Sequence, residues 1–177
     1  MKWTLLVAMC AVLCVAADNK DKEAIEGWKV MHGNWECSDK LLRSSGGTIV
    51  TTKEAKRSLL FSATVRVAEF PAGKCFGLFW GWSASEEGYN ERNQLIIYAD
   101  SISLSDSRQK GGSAKVKFDW PVGKPVKIKG KITPTGAVFQ IGTIRITPKT
   151  PLDGLQNFAL HTNGPDVSFS SVAVKAR

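Results

Sequence analysis

A strict two-residue alternation over residues 58–70 is the sequence feature that most constrains the fold of this chain. Apolar side chains occur at Phe61, Ala63, Val65 and Val67, and polar or small residues occupy the positions between them. Successive side chains of a β-strand point to opposite faces of the sheet. The pattern therefore predicts a long strand with one buried face.

Short segments of the same kind recur along the chain and are separated by Gly, Pro and Asn at strand spacing. No segment has the 3.6-residue period of a substantial helix. We therefore expect an all-β, antiparallel jelly-roll sandwich, with a barrel as the alternative closed form. The predicted strands are 28–30, 35–37, 40–43, 48–52, 58–70, 75–83, 94–99, 102–105, 115–118, 124–133, 137–141, 143–147, 156–161 and 167–174.

Two of the predicted turns define strand boundaries near the ends of the domain. His32-Gly33-Asn34 lies between two alternating segments and is typical of a hairpin turn. Asn163-Gly164-Pro165 is expected to separate the last two strands in the same way. A solvated His32 side chain follows from its predicted position in a tight turn.

Residues 1–17 have the order of a signal peptide: a positive charge at Lys2, an apolar run over 3–13, and small residues up to Ala17. We expect cleavage near Ala17 and a secreted, periplasmic or other extracytoplasmic protein. Residues 18–26 then form a mobile lead-in, and 27–177 form one domain. The apolar run is shorter than the ~20 residues that cross a bilayer, and no second run follows, so no transmembrane segment is expected in the mature chain.

The cysteines reduce to one pair after cleavage, because Cys10 and Cys14 leave with the signal peptide. In an oxidising compartment, Cys37 and Cys75 could form a disulfide. Two separately buried thiols are the alternative, because sequence spacing does not fix connectivity.

The chain is basic, with 24 Lys and Arg against 16 Asp and Glu. Much of the excess lies over 110–131, where Lys127, Lys129 and Lys131 alternate with other residues and so share one strand face. A solvated face explains this pattern, and weak attraction to an anionic polymer or surface is the alternative. Nucleic acid is not expected, because aromatic residues are not interleaved with the basic segment.

Several kinds of catalysis and metal binding lack the residues they need. His32 and His161 are the only histidines, and no G-x-S-x-G sequence accompanies them, so a catalytic triad is not indicated. Two cysteines and two histidines do not form a zinc pattern. The acids within 86–91 could ligate calcium, but they match no known calcium loop and are expected to be solvated. We predict no metal and no cofactor.

An aromatic and amide-rich stretch from Cys75 to Asp100 holds the predicted binding site. Phe76, Leu78 and Trp80 share one strand face, so we expect them in the core. Aromatic and amide residues follow Trp80 in the sequence. Aromatic rings stack on the apolar faces of sugars, and amides form hydrogen bonds with sugar hydroxyls. The predicted ligand-binding residues are Trp82, Tyr89, Asn90, Asn93, Gln94 and Tyr98.

Glycoside cleavage is the catalytic alternative, because it uses carboxyl groups beside the scissile bond. Glu87 and Glu91 are the candidate acid or base among the acids near the aromatic segments.

The order of segments resembles the concanavalin A-like lectin and glucanase jelly-roll superfamily. The resemblance rests on Trp28-Lys-Val, Gly33-Asn-Trp35, Gly47-Thr-Ile-Val-Thr51 and the closing 166–174, and covers nearly all of the mature chain. Exported 3-keto-disaccharide hydrolase-like domains are the nearest group. The resemblance implies a carbohydrate-related jelly roll.

Two departures separate the chain from the enzymes of that superfamily. Asn90 follows Tyr89, and Gln94 stands where an acid is expected; the glucanase acid cluster is also missing. We therefore predict recognition of a saccharide or glycoconjugate. A small hydrolase acting on (keto-)sugar glycosidic linkages is the alternative, and an envelope structural or interaction protein is the second alternative.

Overall fold

Twelve antiparallel strands make up the part of the chain that the computed structural model describes, which is 23–25, 27–38, 40–52, 57–81, 93–106, 114–148 and 158–177. The predicted all-β class is confirmed. None of these residues forms a helix long and apolar enough to cross a membrane. The strands are β1 Glu23–Ile25, β2 Trp28–Ser38, β3 Leu41–Thr51, β4 Leu59–Val67, β5 Cys75–Trp80, β6 Asn93–Ile97, β7 Ser101–Asp106, β8 Ala114–Lys117, β9 Val126–Thr133, β10 Gly136–Ile141, β11 Ile144–Ile146 and β12 Phe158–Ala176.

The long strand β12 belongs to both layers of the structure. Its first half pairs with β5, its second half pairs with β4, and β3 runs along its other side. The front sheet therefore has the order β1-β2-β3-β12-β5-β6-β7-β8, and the back sheet continues as β12-β4-β9-β10-β11.

The core lies between the inner faces of these two sheets. Trp80 on β5 packs on Phe139 on β10 with 5.5 Å between ring centroids, although their strands are not hydrogen-bonded to each other. The ring centroids of Phe61 on β4 and Phe158 on β12 are 4.9 Å apart. Burial of each such side chain stabilises the fold by about 1.5–3 kcal/mol. The core position predicted for Trp80 is correct, since its side chain is fully buried.

The alternation over residues 58–70 produces β4, whose odd-numbered side chains are buried and whose even-numbered ones are half-buried or exposed. Both neighbours of β4 are hydrogen-bonded to it, β9 on one side and β12 on the other. The strand is therefore central in the back sheet, with one face in the core as predicted.

The predicted hairpin at His32-Gly33-Asn34 is wrong, because these residues continue β2 without a turn. Gly33 has φ +85°, and a Cβ atom there would stand 2.1 Å from the Gly46 carbonyl oxygen. The glycine therefore allows an irregular, closely paired stretch of β2 and β3 rather than a reversal of the chain. The predicted strands 40–43 and 48–52 are likewise one strand, β3.

The predicted turn at Asn163-Gly164-Pro165 is also wrong. β12 runs through it, and its pairing with β3 shifts register between Asn163 and Val167. Gly164 has φ +99°, which an L side chain rarely adopts. Residues that commonly form turns here form a bulge in a long strand, because glycine at positive φ occurs in bulges as well as in turns.

Cys37 and Cys75 are free thiols in this structure, which corresponds to the second of the two alternatives left open by the sequence. Cys37 packs against the main core from β2. Cys75 shares its strand face with Phe79, which belongs to a separate apolar cluster outside the main core. The two thiols therefore lie on opposite faces of the front sheet, and their side chains point apart.

Candidate functional site

The outer face of the front sheet brings together the two histidines of the chain. His32 on β2 is paired with Thr48 on β3, and Thr48 is paired with His161 on β12. These three side chains point away from the core. Ile49, for example, is adjacent to Thr48 and points the other way, into the core. We call this surface the histidine face and define it by His32, Thr48, His161, Asn34, Asn163, Phe79 and Tyr98.

The Thr48 hydroxyl hydrogen-bonds both imidazoles. Its Oγ1 atom lies 3.0 Å from His32 Nε2 and 2.9 Å from His161 Nδ1. A hydroxyl has one hydrogen, so it donates to at most one ring and accepts an N–H from the other. The contact therefore orients both rings and couples the tautomer of one to that of the other.

His161 is further held by an aromatic contact. Its ring stacks on Phe79 with 5.1 Å between centroids and 28° between planes. Phe79 is buried, together with Val50 and Ala159, in a small apolar cluster on this outer face. The imidazole of His161 is half-buried beside that cluster, so its position is fixed on one side by packing and on the other by Thr48.

Exposed polar groups continue the histidine face along the next row of the sheet. Asn34 on β2 and Asn163 on β12 both pair with Gly46 on β3, and both are exposed. Because Gly46 has no side chain, the two amides face each other across a low point of the surface. Each amide offers an acceptor and two donors to a ligand.

Tyr98 bounds the face on the side of β6. Tyr98 is 37% exposed. It directly follows Ile97, which is paired with Phe76, so Tyr98 lies beside Cys75, the residue before Phe76. Burial raises the pKa of the Tyr98 phenol, and the charge of the nearby Cys75 thiolate raises it further. The phenol is therefore neutral over the physiological range and can both donate and accept a hydrogen bond.

Gly77 lies between His161 on β12 and Ile96 on β6 in the same row. A Cβ atom at this position would stand 2.5 Å from the Leu95 carbonyl oxygen and 2.9 Å from Ile96 Cδ1. The missing side chain thus lets β6 approach β5 closely, and the space is filled by protein.

The structure separates the predicted binding residues into three groups. Tyr98 lies on the histidine face, and Gln94 has the same orientation but is half-buried and donates to Ser105 Oγ at 3.2 Å. Asn93 is 1% exposed and points to the opposite side of β6. Trp82, Glu87, Tyr89, Asn90 and Glu91 lie outside the described residues.

Sequence reasoning missed the centre of this face. The turn expected at His32 is a strand, while the side chain of His32 is exposed as expected and bonds Thr48. The alternation in Gly47-Thr-Ile-Val-Thr51 does place Thr48 opposite to Ile49, which is the one signal that was available. Nothing in the sequence aligned that strand with His161, which is more than a hundred residues away.

The chemistry of the described face is that of hydrogen bonding. Strands β3, β5 and β6 contain no Asp or Glu, and the acids on the other two strands of the face, Glu36 on β2 and Asp166 on β12, are both paired with Arg43. Among the described residues no group of three or more His, Cys, Asp or Glu is arranged to hold a metal ion. Imidazole, amide and phenol groups remain, and together they can donate to and accept from the hydroxyls of a polar ligand.

Comparison with known proteins gives matches in structure only. No protein-family model matches the sequence, and no curated protein sequence matches it significantly. The carbohydrate binding module CBM66 from Bacillus subtilis aligns with a TM-score of 0.66 and 14% identity, over 85% of this chain and 96% of that chain. A Bacillus subtilis protein of unknown function with a galectin-like fold gives 0.65 and 13%, over 86% and 91%. The Emp47p carbohydrate recognition domain gives 0.60 and 8%, over 89% and 92%.

These likenesses extend over nearly the whole of the matched domains, and at such low identity they report the fold. The predicted jelly-roll sandwich is confirmed, while the narrower likeness to 3-keto-disaccharide hydrolase-like domains stays a prediction. The chain therefore has the jelly-roll sandwich fold of these domains.

Proposed function

We propose that this chain recognises a saccharide on the histidine face. The observation that carries the proposal is the Thr48 hydroxyl held between His32 and His161, at 3.0 and 2.9 Å. A surface on which imidazoles are already oriented before a ligand arrives loses little entropy on binding. Sugar hydroxyls, which both donate and accept, are the ligand groups that match such a surface.

The named functions of the structural neighbours support the same class of ligand. One is a carbohydrate binding module and another is a carbohydrate recognition domain. Both are matched over more than nine tenths of their length, so their whole domain corresponds to this chain. Fold alone does not determine function. The neighbours therefore add to the proposal, and the side chains of the histidine face carry it.

The dimensions of the face suit a mono- or disaccharide. Neighbouring strands are about 4.8 Å apart, so Asn163 on β12 and Tyr98 beyond β6 are separated by roughly 10 Å across β5. In this arrangement the exposed ring of Tyr98 stacks on the apolar face of a sugar, and the Asn163 amide bonds its hydroxyls. Trp82, Tyr89 and Asn90 remain predicted contributors.

A glycan array followed by titration of the strongest neutral binder tests the proposal. Asn163→Ala and Tyr98→Ala should each weaken binding roughly tenfold, because a buried hydrogen bond or ring contact of about 1.4 kcal/mol is lost. Tyr98→Phe keeps the ring and should lose less than Tyr98→Ala. Lys115→Ala, on the exposed edge strand β8, is the matched control and should bind as the parent does. Equal binding by all variants would contradict the assignment of the face.

Glycoside hydrolysis remains the alternative function, with Glu87 or Glu91 as acid or base. It predicts release of a keto-sugar from a 3-keto-disaccharide, with loss of turnover in Glu87→Gln or Glu91→Gln. Saccharide binding without turnover would exclude it. The second alternative, an envelope interaction protein, predicts no saccharide binding at all.

We further propose that the protein acts outside the cytoplasm, since residues 1–17 have the order of a signal peptide. N-terminal sequencing of the exported protein should begin at or near Asp18.

A further inference from the structure

The outer face of the back sheet is strongly basic. Strands β4, β9, β10 and β11 contain no Asp or Glu. Their outward positions include five exposed cations, Arg66, Lys127, Lys129, Lys131 and Arg145. We call these residues, with Gln140, the basic face. It lies on the opposite side of the molecule from the histidine face, because β4 and β5 meet β12 in different layers.

Cations of the basic face line a groove of about 470 Å³. Arg145, Gln140 and Lys129 stand in one row across β11, β10 and β9, according to the pairing of these strands. Lys131 and Val138 form the next row. Together with the backbone of Gly130 these residues line an open groove in which apolar surface lies between the charged groups.

Protection of a sheet edge does not explain these lysines. Lysine on an edge strand discourages pairing with another chain. β9, however, lies between β4 and β10 and is hydrogen-bonded on both sides. Three lysines on an internal strand therefore repel one another without protecting any edge.

Among the residues that the structure describes, the basic face also has no acidic partners for its groove cations. Asp166 is the acidic residue of the neighbouring strand β12, and its carboxylate accepts two hydrogen bonds from Arg43. Within the described ranges, no ion pair involves Lys129, Lys131 or Arg145. The positive potential of the groove is therefore available to a ligand.

We infer that the basic face binds a sulfated polysaccharide. Same-face residues of a strand are about 6.6 Å apart, so Lys127, Lys129 and Lys131 form a row of cations that one densely charged polymer can contact at the same time. Gln140 and Ser62, which is paired with Lys129, add groups that bond sugar hydroxyls. The site is separate from the proposed saccharide site, and neither inference requires the other.

The side chains of the face disfavour nucleic acid as the ligand. Recognition of single strands relies on aromatic side chains that stack with bases. The outward residues of β4, β9, β10 and β11 include no aromatic residue. Duplex DNA would be bound through phosphates alone, so it is the competitor that the experiment needs.

Titration of the whole secreted chain with fluorescent heparin tests the inference at about 50 mM and about 200 mM salt, because polyanion binding weakens as salt rises. Lys129→Gln, Lys131→Gln and Arg145→Gln combined should weaken binding at least roughly tenfold and reduce the salt dependence. The control combines Lys115→Gln, Lys117→Gln and Lys124→Gln, which removes the same charge from exposed positions elsewhere. It should keep most of the affinity.

Three results would overturn the inference. The first is no heparin binding at the lower salt, and the second is equal loss in the two triple variants, which would mean that net charge alone is responsible. The third is equally tight binding of duplex DNA at matched charge concentration, which would assign the face to phosphate polymers. Neutral dextran should not bind the groove. Thermal midpoints within a few degrees of the parent should verify that both triple variants are folded.

Discussion

His161 stacks on Phe79 at 5.1 Å between ring centroids, so a buried apolar residue supports a half-buried polar one on the outside of a sheet. Phe79→Ala should remove that support and leave a cavity among Val50 and Ala159. We expect a loss of about 3–5 kcal/mol in the free energy of unfolding, measured by urea denaturation. Phe79→Leu should lose less, because it refills most of the volume. Unchanged stability of Phe79→Ala would show that this outer cluster contributes nothing to the fold.

Thr48→Val tests the hydrogen bonds that join the two imidazoles. Valine has nearly the same shape but no hydroxyl, so His32 and His161 lose their shared partner. A loss of about 1 kcal/mol in unfolding free energy is expected, because His32 is exposed and can bond water instead. Nitrogen-15 NMR should show that both imidazoles change tautomer populations. Thr48→Ser, which keeps the hydroxyl, should retain the parent spectrum.

The period-two pattern was sufficient to predict the class of fold but not the lengths of the strands. β4 follows its alternation directly, because its hydrophobic face packs in the core. Gly33 and Gly164 fit the pattern of a turn as well as that of a bulge, because glycine at positive φ is common to both. Only pairing with β3 distinguishes the two, and that pairing is long-range.

The candidate site was predictable only in part for the same reason. Strand parity alone places Asn93 on the opposite side of β6 from Gln94, since adjacent residues of a strand point to opposite faces. The junction of His32 with Thr48 and His161 depends on the order and register of three strands. The sequence of a single strand does not show which strands are its neighbours or how their residues are aligned.

The ion pair between Arg43 and Asp166 predicts an acid-dependent stability. Hydrogen bonding and charge from Arg43 lower the pKa of the Asp166 carboxyl. Its contribution is therefore fully present above the ordinary aspartate pKa of about 3.9 and is lost as pH falls through the lowered value. The thermal midpoint of Asp166→Asn should lie below that of the parent at neutral pH, and the two should converge in acid. The side chains of Arg43 and Asp166 are 47% and 33% exposed, so solvent screens the pair. The difference should therefore be small and should shrink with added salt. A difference that grows in acid would contradict this sign.

The thiols of Cys37 and Cys75 should react slowly in the folded protein. Burial raises the pKa of both, so the reactive thiolate is scarce near pH 8. Labelling with a chromogenic disulfide reagent should be slow in buffer and complete in urea. Reducing agent should leave the thermal midpoint unchanged, whereas loss of a disulfide would cost about 2–5 kcal/mol. In a chain that begins at Asp18, recovery of fewer than two thiols in urea would show that oxidation occurs despite their opposite orientation.

Gly77 should not tolerate a side chain, although its backbone conformation is an ordinary one for L residues. In Gly77→Ala the new methyl group meets the Leu95 carbonyl oxygen at 2.5 Å, and backbone atoms of a paired strand cannot move away without breaking the ladder. We expect a loss of about 1–3 kcal/mol in unfolding free energy and a displacement of β6 that carries Tyr98 with it. Gly46→Ala is the matched control, because nothing lies within 4 Å of its new Cβ atom. If both variants unfold at the same urea concentration, then close approach of β5 and β6 is not the reason for glycine at position 77.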